Sequence, residues 1–124
     1  MLLFPGEEKI FCKLPEFTIE KIKYMDIPKA NLLMCDDVCD REVRPLACRM
    51  FPVAPSVDKA GNVSVRPDIR GRLMCPLWDL SRVDRDFIKA VATALGILSA
   101  DKKTLAFLRL MSAEVDELEK FYKK

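Results

Sequence analysis

The chain has 124 residues, of which 50% are hydrophobic and 32% are charged, and its net charge is +2. This length suits one domain with a hydrophobic core, and the composition excludes intrinsically disordered and collagen-like chains. No apolar run reaches the roughly 18 residues of a membrane-spanning helix, and the first residues lack the pattern of a secretory signal. Five cysteines occur without any histidine, which excludes Ser-His-Asp and Cys-His catalytic groups and histidine-containing metal sites.

An odd number of cysteines without a signal pattern is typical of a reducing compartment rather than of a disulfide framework. The sequence therefore predicts a cytoplasmic protein, in which clustered cysteines serve as metal ligands or redox thiols. Arginines concentrate between Arg41 and Arg85, and all eight prolines precede Trp78. We expect one domain over 1–124, with an irregular cysteine-rich region over 1–80 and a helical region over 81–124.

The first part of the chain predicts one short helix and a pair of strands. A proline-glycine turn followed by acidic residues favours a short helix over 7–13. Loose alternation of apolar and charged residues predicts an amphipathic strand over 18–25. The apolar segment 31–35 predicts a short buried strand, which is a candidate partner for 18–25.

The middle of the chain predicts a second short helix and a β-hairpin. Pro45 suits the first turn of a helix, where its missing N–H costs nothing, and Pro52 requires this helix to end by about Met50. The segments 52–57 and 63–66 flank an Asp-Lys-Ala-Gly-Asn sequence, which is typical of a hairpin loop.

The last part of the chain changes to a helical period. Ser81 followed by Asp84 resembles a capping box, and Asp101 can cap a second helix. The apolar residues that share a face are Phe87, Ile88, Val91, Leu95 and Leu98 in the first helix and Leu105, Leu108, Met111, Val115, Leu118 and Tyr122 in the second. Because the link 99–101 is short, we expect an antiparallel two-helix hairpin whose apolar seam is core or a dimer interface. The predicted fold class is α+β, a small irregular cysteine-rich part with short strands followed by this hairpin.

Four cysteines have a spacing that can form a metal site. Cys35, Cys39, Cys48 and Cys75 follow the pattern C-x3-C-x8-C-x26-C, and four thiolates are enough to close a tetrahedral zinc or iron site. Such a site carries net negative charge, which is costly to bury. Arg44 and Arg49 lie near Cys48 in sequence and are candidates to compensate this charge and to favour the thiolate form.

Structural explanations for the same residues stay open. The spacing is not that of a standard zinc ribbon, and cysteine is among the most buried residues even without a function. Four buried, inert thiols are therefore the alternative to a metal site, and Cys12, alone on a predicted helix, is expected in the core. Arg44 and Arg49 can instead pair with nearby acids at the surface, where such pairs contribute about 0–1 kcal/mol. These acids are Asp36, Asp37, Asp40 and Glu42.

The stretch from Cys39 to Pro52 contains three further elements, Arg44-Pro45, Cys48-Arg49 and Phe51-Pro52. It closely resembles the signature of the YkgJ-type cysteine-cluster family, a zinc- or iron-chelating domain that also occurs in flagellin lysine N-methylases. The segments 3–10 and 75–77 resemble the family's leucine-proline-acidic and cysteine-proline elements, so the resemblance covers residues 1–80. It implies that Cys39 and Cys48 are ligands, with Cys35 and Cys75 as further candidates.

One element of the family pattern is missing from this sequence. Family members carry a C-x2-C-C motif shortly before the leucine-proline-acidic segment, and here no cysteine precedes Cys12. We expect either a fragment or late start, or a chain that has lost that half of the site. In both cases the full cluster of the family cannot form, and a partial site is expected.

The residues favour a protein that binds zinc or iron, the latter including an iron–sulfur cluster, and that has no identifiable catalysis. The alternative is a metal-free interaction module with structural cysteines that forms a homodimer through the 101–122 helix. An enzyme is supported only by the analogy with the methylases, which does not transfer activity. No nucleic-acid partner is expected because the arginines are interspersed with acids, and no membrane partner is expected.

Overall fold

A computed structural model of the protein describes residues 1–25, 27–35 and 41–122. The fold is mixed α+β, with two small antiparallel sheets of two strands each and a helical C-terminal region. The chain divides into two compact units, Met1–Arg49 and Met50–Lys124, and each contains one of the sheets. Among the described residues, no helix combines the length and the apolar character needed to cross a membrane.

The unit Met1–Arg49 is built on one β-hairpin and short helical turns. Its elements, in chain order, are α1 (Glu8–Phe11), β1 (Phe17–Tyr24), β2 (Ile27–Cys35), a 3₁₀ turn (Arg41–Val43) and α2 (Leu46–Met50), of which the last residue is assigned to the other unit. β1 pairs antiparallel with β2, with a register irregularity between Ile22 and Tyr24. The predicted short helix, the strand pair and the helix after Pro45 are therefore confirmed.

β2 is longer and more exposed than the sequence predicts. It begins at Ile27 rather than at residue 31, and only Ala30 and Leu33 are buried. The other seven residues of β2 are half-buried or exposed, because a sheet of two strands leaves much of its surface in contact with solvent. The prediction of a short buried strand is therefore wrong in both length and burial.

The first unit has its own hydrophobic core. Its buried members are Leu3, Phe11, Phe17 and Leu33, and Leu14, Ile19 and Val43 pack against them. The rings of Phe11 and Phe17 meet edge to face, with their centroids 5.4 Å apart. The first residues run beside β2, because the Leu3 N–H donates to the Asn31 carbonyl at 2.9 Å. This core thus joins the first residues, α1 and the hairpin.

The unit Met50–Lys124 contains the second hairpin and both long helices. Its elements are β3 (Val53–Val57), β4 (Val63–Pro67), a 3₁₀ turn (Ile69–Gly71), α3 (Arg85–Leu98) and α4 (Lys102–Tyr122). β3 and β4 pair antiparallel, which confirms the predicted hairpin. In the loop, Gly61 has a φ of +90°, a conformation that glycine adopts without strain.

The two long helices pack mainly on the strands of this hairpin, α4 on β3 and α3 on β4. Val115 lies in a buried cluster with Ala54 and Ile69, and the Ser112 hydroxyl accepts a hydrogen bond from the Val57 N–H at 3.1 Å. The sheet therefore takes up the apolar faces that the sequence assigned to a helix–helix seam. The predicted antiparallel pairing of the two helices with each other is not confirmed.

The helix caps agree with the sequence at one helix and differ at the other. The Asp101 carboxylate accepts bonds from the N–H and the hydroxyl of Thr104, at 3.0 and 2.9 Å, which confirms it as the cap of α4. At α3 the cap is Asp84, whose carboxylate accepts a bond from the Asp86 N–H at 2.8 Å. The prediction that Ser81 starts the helix is wrong, because its N–H and hydroxyl donate to the Asp79 carboxylate in the preceding turn.

Candidate metal site

The structure describes three of the four predicted ligands. Cys35 is the last residue of β2 and is exposed, and Cys48 lies on α2 and is half-buried. Both belong to the unit Met1–Arg49, whereas the half-buried Cys75 belongs to the unit Met50–Lys124. Cys39 lies within 36–40, outside the described residues. Cys35 and Cys48, two thiols that are not fully buried, therefore lie on either side of Cys39 in the sequence.

Proline and local hydrogen bonds place Cys48. Pro45 is fully buried, and its carbonyl accepts bonds from the N–H groups of Cys48 and Arg49 at 3.0 and 3.1 Å. Ala47 and Met50 are buried, so α2 turns these two side chains inward. Cys48 lies between them in sequence and is left at the boundary between the interior and solvent.

The guanidinium group of Arg49 is held on the main chain beside α2. Its Nε donates to the Arg44 carbonyl at 2.9 Å, and its Nη2 donates to the Glu42 carbonyl at 2.8 Å. These two bonds satisfy carbonyls of the 3₁₀ turn and its exit, where the main chain lacks helical partners. A fixed positive charge therefore stands on the residue that follows Cys48. The sequence predicted Arg49 near the site but not its use of main-chain acceptors.

Cys75 lies in a tight turn of the second unit. Its N–H donates to the Gly71 carbonyl at 2.8 Å, and the guanidinium group of Arg72 lies 6.0 Å from the ring centroid of Trp78. A Cβ atom on Gly71 would lie 3.2 Å from the ring of Phe51 and 3.3 Å from the Cβ of Trp78, so a side chain here would require these neighbours to shift by a few tenths of an ångström.

Cys12 is not in the core. It follows the single turn of α1 and is exposed, and its thiol donates to the Lys9 carbonyl at 3.6 Å. Phe11 is the buried residue of α1, and a helix turns by about 100° per residue, so the next side chain points away from the core. The prediction of a buried Cys12 is therefore wrong.

Glu7, which the sequence does not indicate as a site residue, hydrogen-bonds to the first residue of α2. Glu7 Oε1 accepts a bond from the Phe4 N–H at 2.7 Å, and Oε2 accepts one from the Leu46 N–H at 3.0 Å. No local pattern signals this contact, because Glu7 and Leu46 are 39 residues apart in the chain. One carboxylate therefore bridges the first residues and the start of the helix that carries Cys48.

The donor set suits zinc and iron–sulfur clusters, since thiolates can hold either of them without histidine. Within 1–25, 27–35 and 41–122, no group of three or more Cys, Asp or Glu residues is close enough to hold an ion. Cys39 lies outside these ranges, so the four-cysteine site stays a prediction. Comparisons of the chain with family models, curated proteins and solved structures give no match. The resemblance to the YkgJ-type family thus depends on the quoted residues alone.

Proposed function

We propose that the protein binds zinc or iron, the latter including an iron–sulfur cluster, through its cysteines, and that it has no catalysis of its own. The observation that carries the proposal is that neither of the two cysteines flanking the segment of Cys39 in sequence is fully buried. Inert structural cysteines are normally buried, whereas Cys35 is exposed and Cys48 is half-buried. We place the protein in a reducing compartment, the cytoplasm, where such thiols stay available for a metal.

The proposed ligands are Cys35, Cys39 and Cys48 of one compact unit, and the sequence adds Cys75 as a fourth candidate. The metal would supply structural cross-links between these residues, since metal binding free energy contributes to folding. The negative charge of the thiolates would be offset by the arginines of the same stretch. The fixed position of Arg49 supports this role, because a charge held in place loses less entropy when the site forms.

Metal analysis of the full chain, purified under reducing and anaerobic conditions, tests the proposal. We expect stoichiometric zinc or iron in the unmodified protein and loss of this metal in Cys39→Ser and Cys48→Ser. Cys12→Ser is the matched control and should retain the metal, since Cys12 is exposed and its thiol bonds within its own turn. Near-absence of zinc and iron in the unmodified protein would contradict the proposal, as would equal metal content in all variants.

A second candidate function, pairing of two copies of the chain, is favoured by the end of α4. Phe121 is 76% exposed and Tyr122 is 44% exposed, and their rings form an edge-to-face pair. Leu108, Met111 and Val115 are already buried, so a dimer would have to use this end of the helix rather than the whole seam. The antiparallel arrangement of α3 and α4 remains part of this candidate.

Light scattering at increasing protein concentration tests the second candidate. A dimer that uses the end of α4 should weaken in Phe121→Ser and persist in Ile97→Ser, which changes an equally exposed apolar residue of α3. A protein that stays monomeric at all concentrations would end this candidate.

A further inference from the structure

The carboxylate of Glu7 accepts a hydrogen bond from an N–H group for which α2 provides no acceptor. The first N–H groups of a helix have no acceptor within the helix, and Leu46 is the first residue of α2. Glu7 supplies the acceptor at 3.0 Å, while its other oxygen is anchored on the Phe4 N–H at 2.7 Å. Bonds between a carboxylate and an N–H are charge-assisted and stronger than neutral ones. Glu7 therefore fixes where α2 starts relative to the first residues.

We infer that Glu7 is a positioning residue for metal binding by Cys48. This inference rests on the proposed function, because it assigns Glu7 a role in the affinity of that metal site. Cys48 lies two residues after Leu46, within the same helical turn, so a fixed Leu46 amide restricts the direction of the Cys48 thiol. Groups that orient a metal ligand without touching the metal typically change its affinity by 10–100-fold when they are removed.

The neighbouring Glu8 provides a matched control. Its Oε2 accepts a bond from the Gly6 N–H at 3.0 Å, two residues away, and the bond stays within the first turn. Glu7→Gln and Glu8→Gln remove the same charge from adjacent positions. In Glu7→Gln, the side-chain oxygen can accept a bond from either the Phe4 N–H or the Leu46 N–H, and the new NH2 group faces the other one. A difference between the two variants therefore reports the bond to α2 and not the change in net charge.

The test titrates Co²⁺ into the reduced, anaerobic full chain and into both variants. The readouts are the dissociation constant, the thiolate-to-cobalt absorption band, and hydrogen exchange at the Leu46 amide. In Glu7→Gln we expect an affinity for Co²⁺ that is about tenfold weaker, an altered cobalt spectrum and faster exchange at Leu46. Glu8→Gln should match the unmodified protein in all three readouts.

Equal Co²⁺ affinity and equal spectra in the two variants would overturn the inference and leave the proposed function intact. If the unmodified protein binds no Co²⁺, the proposed function fails, and the role of Glu7 in metal affinity fails with it. If Glu7→Gln does not fold, as judged by circular dichroism, hydrogen exchange at the Leu46 amide of the unmodified protein tests the inference instead. Protection of the Leu46 amide supports the bond to Glu7, and exchange at the rate of an unstructured chain overturns it.

Discussion

Arg49 shows how one side chain can serve both explanations that the sequence leaves open. Its guanidinium group bonds to the carbonyls of Glu42 and Arg44, which is a structural use that needs no metal. The same bonds hold a positive charge in place on the residue that follows Cys48, as the predicted charge compensation of a metal site requires. The Arg-Pro-x-x-Cys-Arg sequence is therefore explained locally by a 3₁₀ turn, a proline-started helix and the arginine that ties them together.

Asp68 is the most deeply buried charged group among the described residues, with 3% exposure. Its carboxylate accepts bonds from the N–H, Nε and Nη2 of Arg70 at 3.0, 2.9 and 2.6 Å. Asp68→Asn would leave an amide group facing the guanidinium donors in a buried place. We expect the free energy of unfolding to fall by about 1–3 kcal/mol, as measured by urea denaturation.

The control for this prediction is Asp86→Asn, which changes an exposed aspartate in the first turn of α3. Substitutions at exposed positions usually change stability little. If Asp68→Asn is no more destabilising than this control, the bonds between the buried Asp68 carboxylate and Arg70 contribute nothing to the stability of the second unit.

At the scale of helices and strands, Asp101 links the start of α4 to pH. The pKa of Asp101 is lowered because its carboxylate accepts bonds from the backbone N–H and then the hydroxyl of Thr104. A carboxylate with a lowered pKa stabilises the folded state above its ordinary pKa of 3.8, and this contribution is lost as the pH falls through the lowered value. Asp101→Ala should therefore be less stable than the unmodified protein near neutral pH, and the difference should shrink in acid.

The measurement is thermal unfolding across this pH range for the unmodified protein, Asp101→Ala and Asp101→Asn. Asparagine caps helices about as well as aspartate but does not titrate, so Asp101→Asn should keep the cap in acid. The assigned cap would be contradicted if the difference in stability between the unmodified protein and Asp101→Ala stayed constant as the pH falls through 3.8 and below.

Local sequence patterns predict the elements of this fold better than their packing. Pro45, the Asp58–Asn62 loop and the Asp101 cap each act within a few residues, so the helix, hairpin and cap that they predict are confirmed. The start of α3 differs because Ser81 and Asp84 are both residues that can cap a helix, and only the observed bonds show that Asp84 caps α3 while Ser81 is bound to Asp79. Helical spacing marks an apolar face on α4 but does not reveal that β3 covers it.

The candidate site follows the same rule. Spacing and neighbouring residues predict Cys35, Cys48 and Arg49 as site residues, but they do not reveal that Cys35 is exposed or that Arg49 bonds to main-chain carbonyls. Glu7 could not be found this way, because its contact with Leu46 depends on how distant segments fold together. Cys12 was misplaced because a single turn of helix gives too little periodicity to indicate which side faces the core.

At the scale of the whole molecule, the chain combines two units that each have their own sheet and buried apolar residues. In the first unit, Cys35 and Cys48 lie outside the cluster of Leu3, Phe11, Phe17 and Leu33. The core of that unit is small, and small domains often gain stability from a bound metal. A metal site made of the cysteines of this unit would supply such a gain.

X-ray absorption at the edge of the bound metal tests the proposed cysteine site most directly. Protein purified under reducing and anaerobic conditions should give a first shell dominated by sulfur, at about 2.3 Å for zinc. This sulfur shell should diminish when Cys48 is replaced by serine and persist when Cys12 is replaced. A first shell of oxygen or nitrogen alone, or a preparation without zinc or iron, would contradict the account.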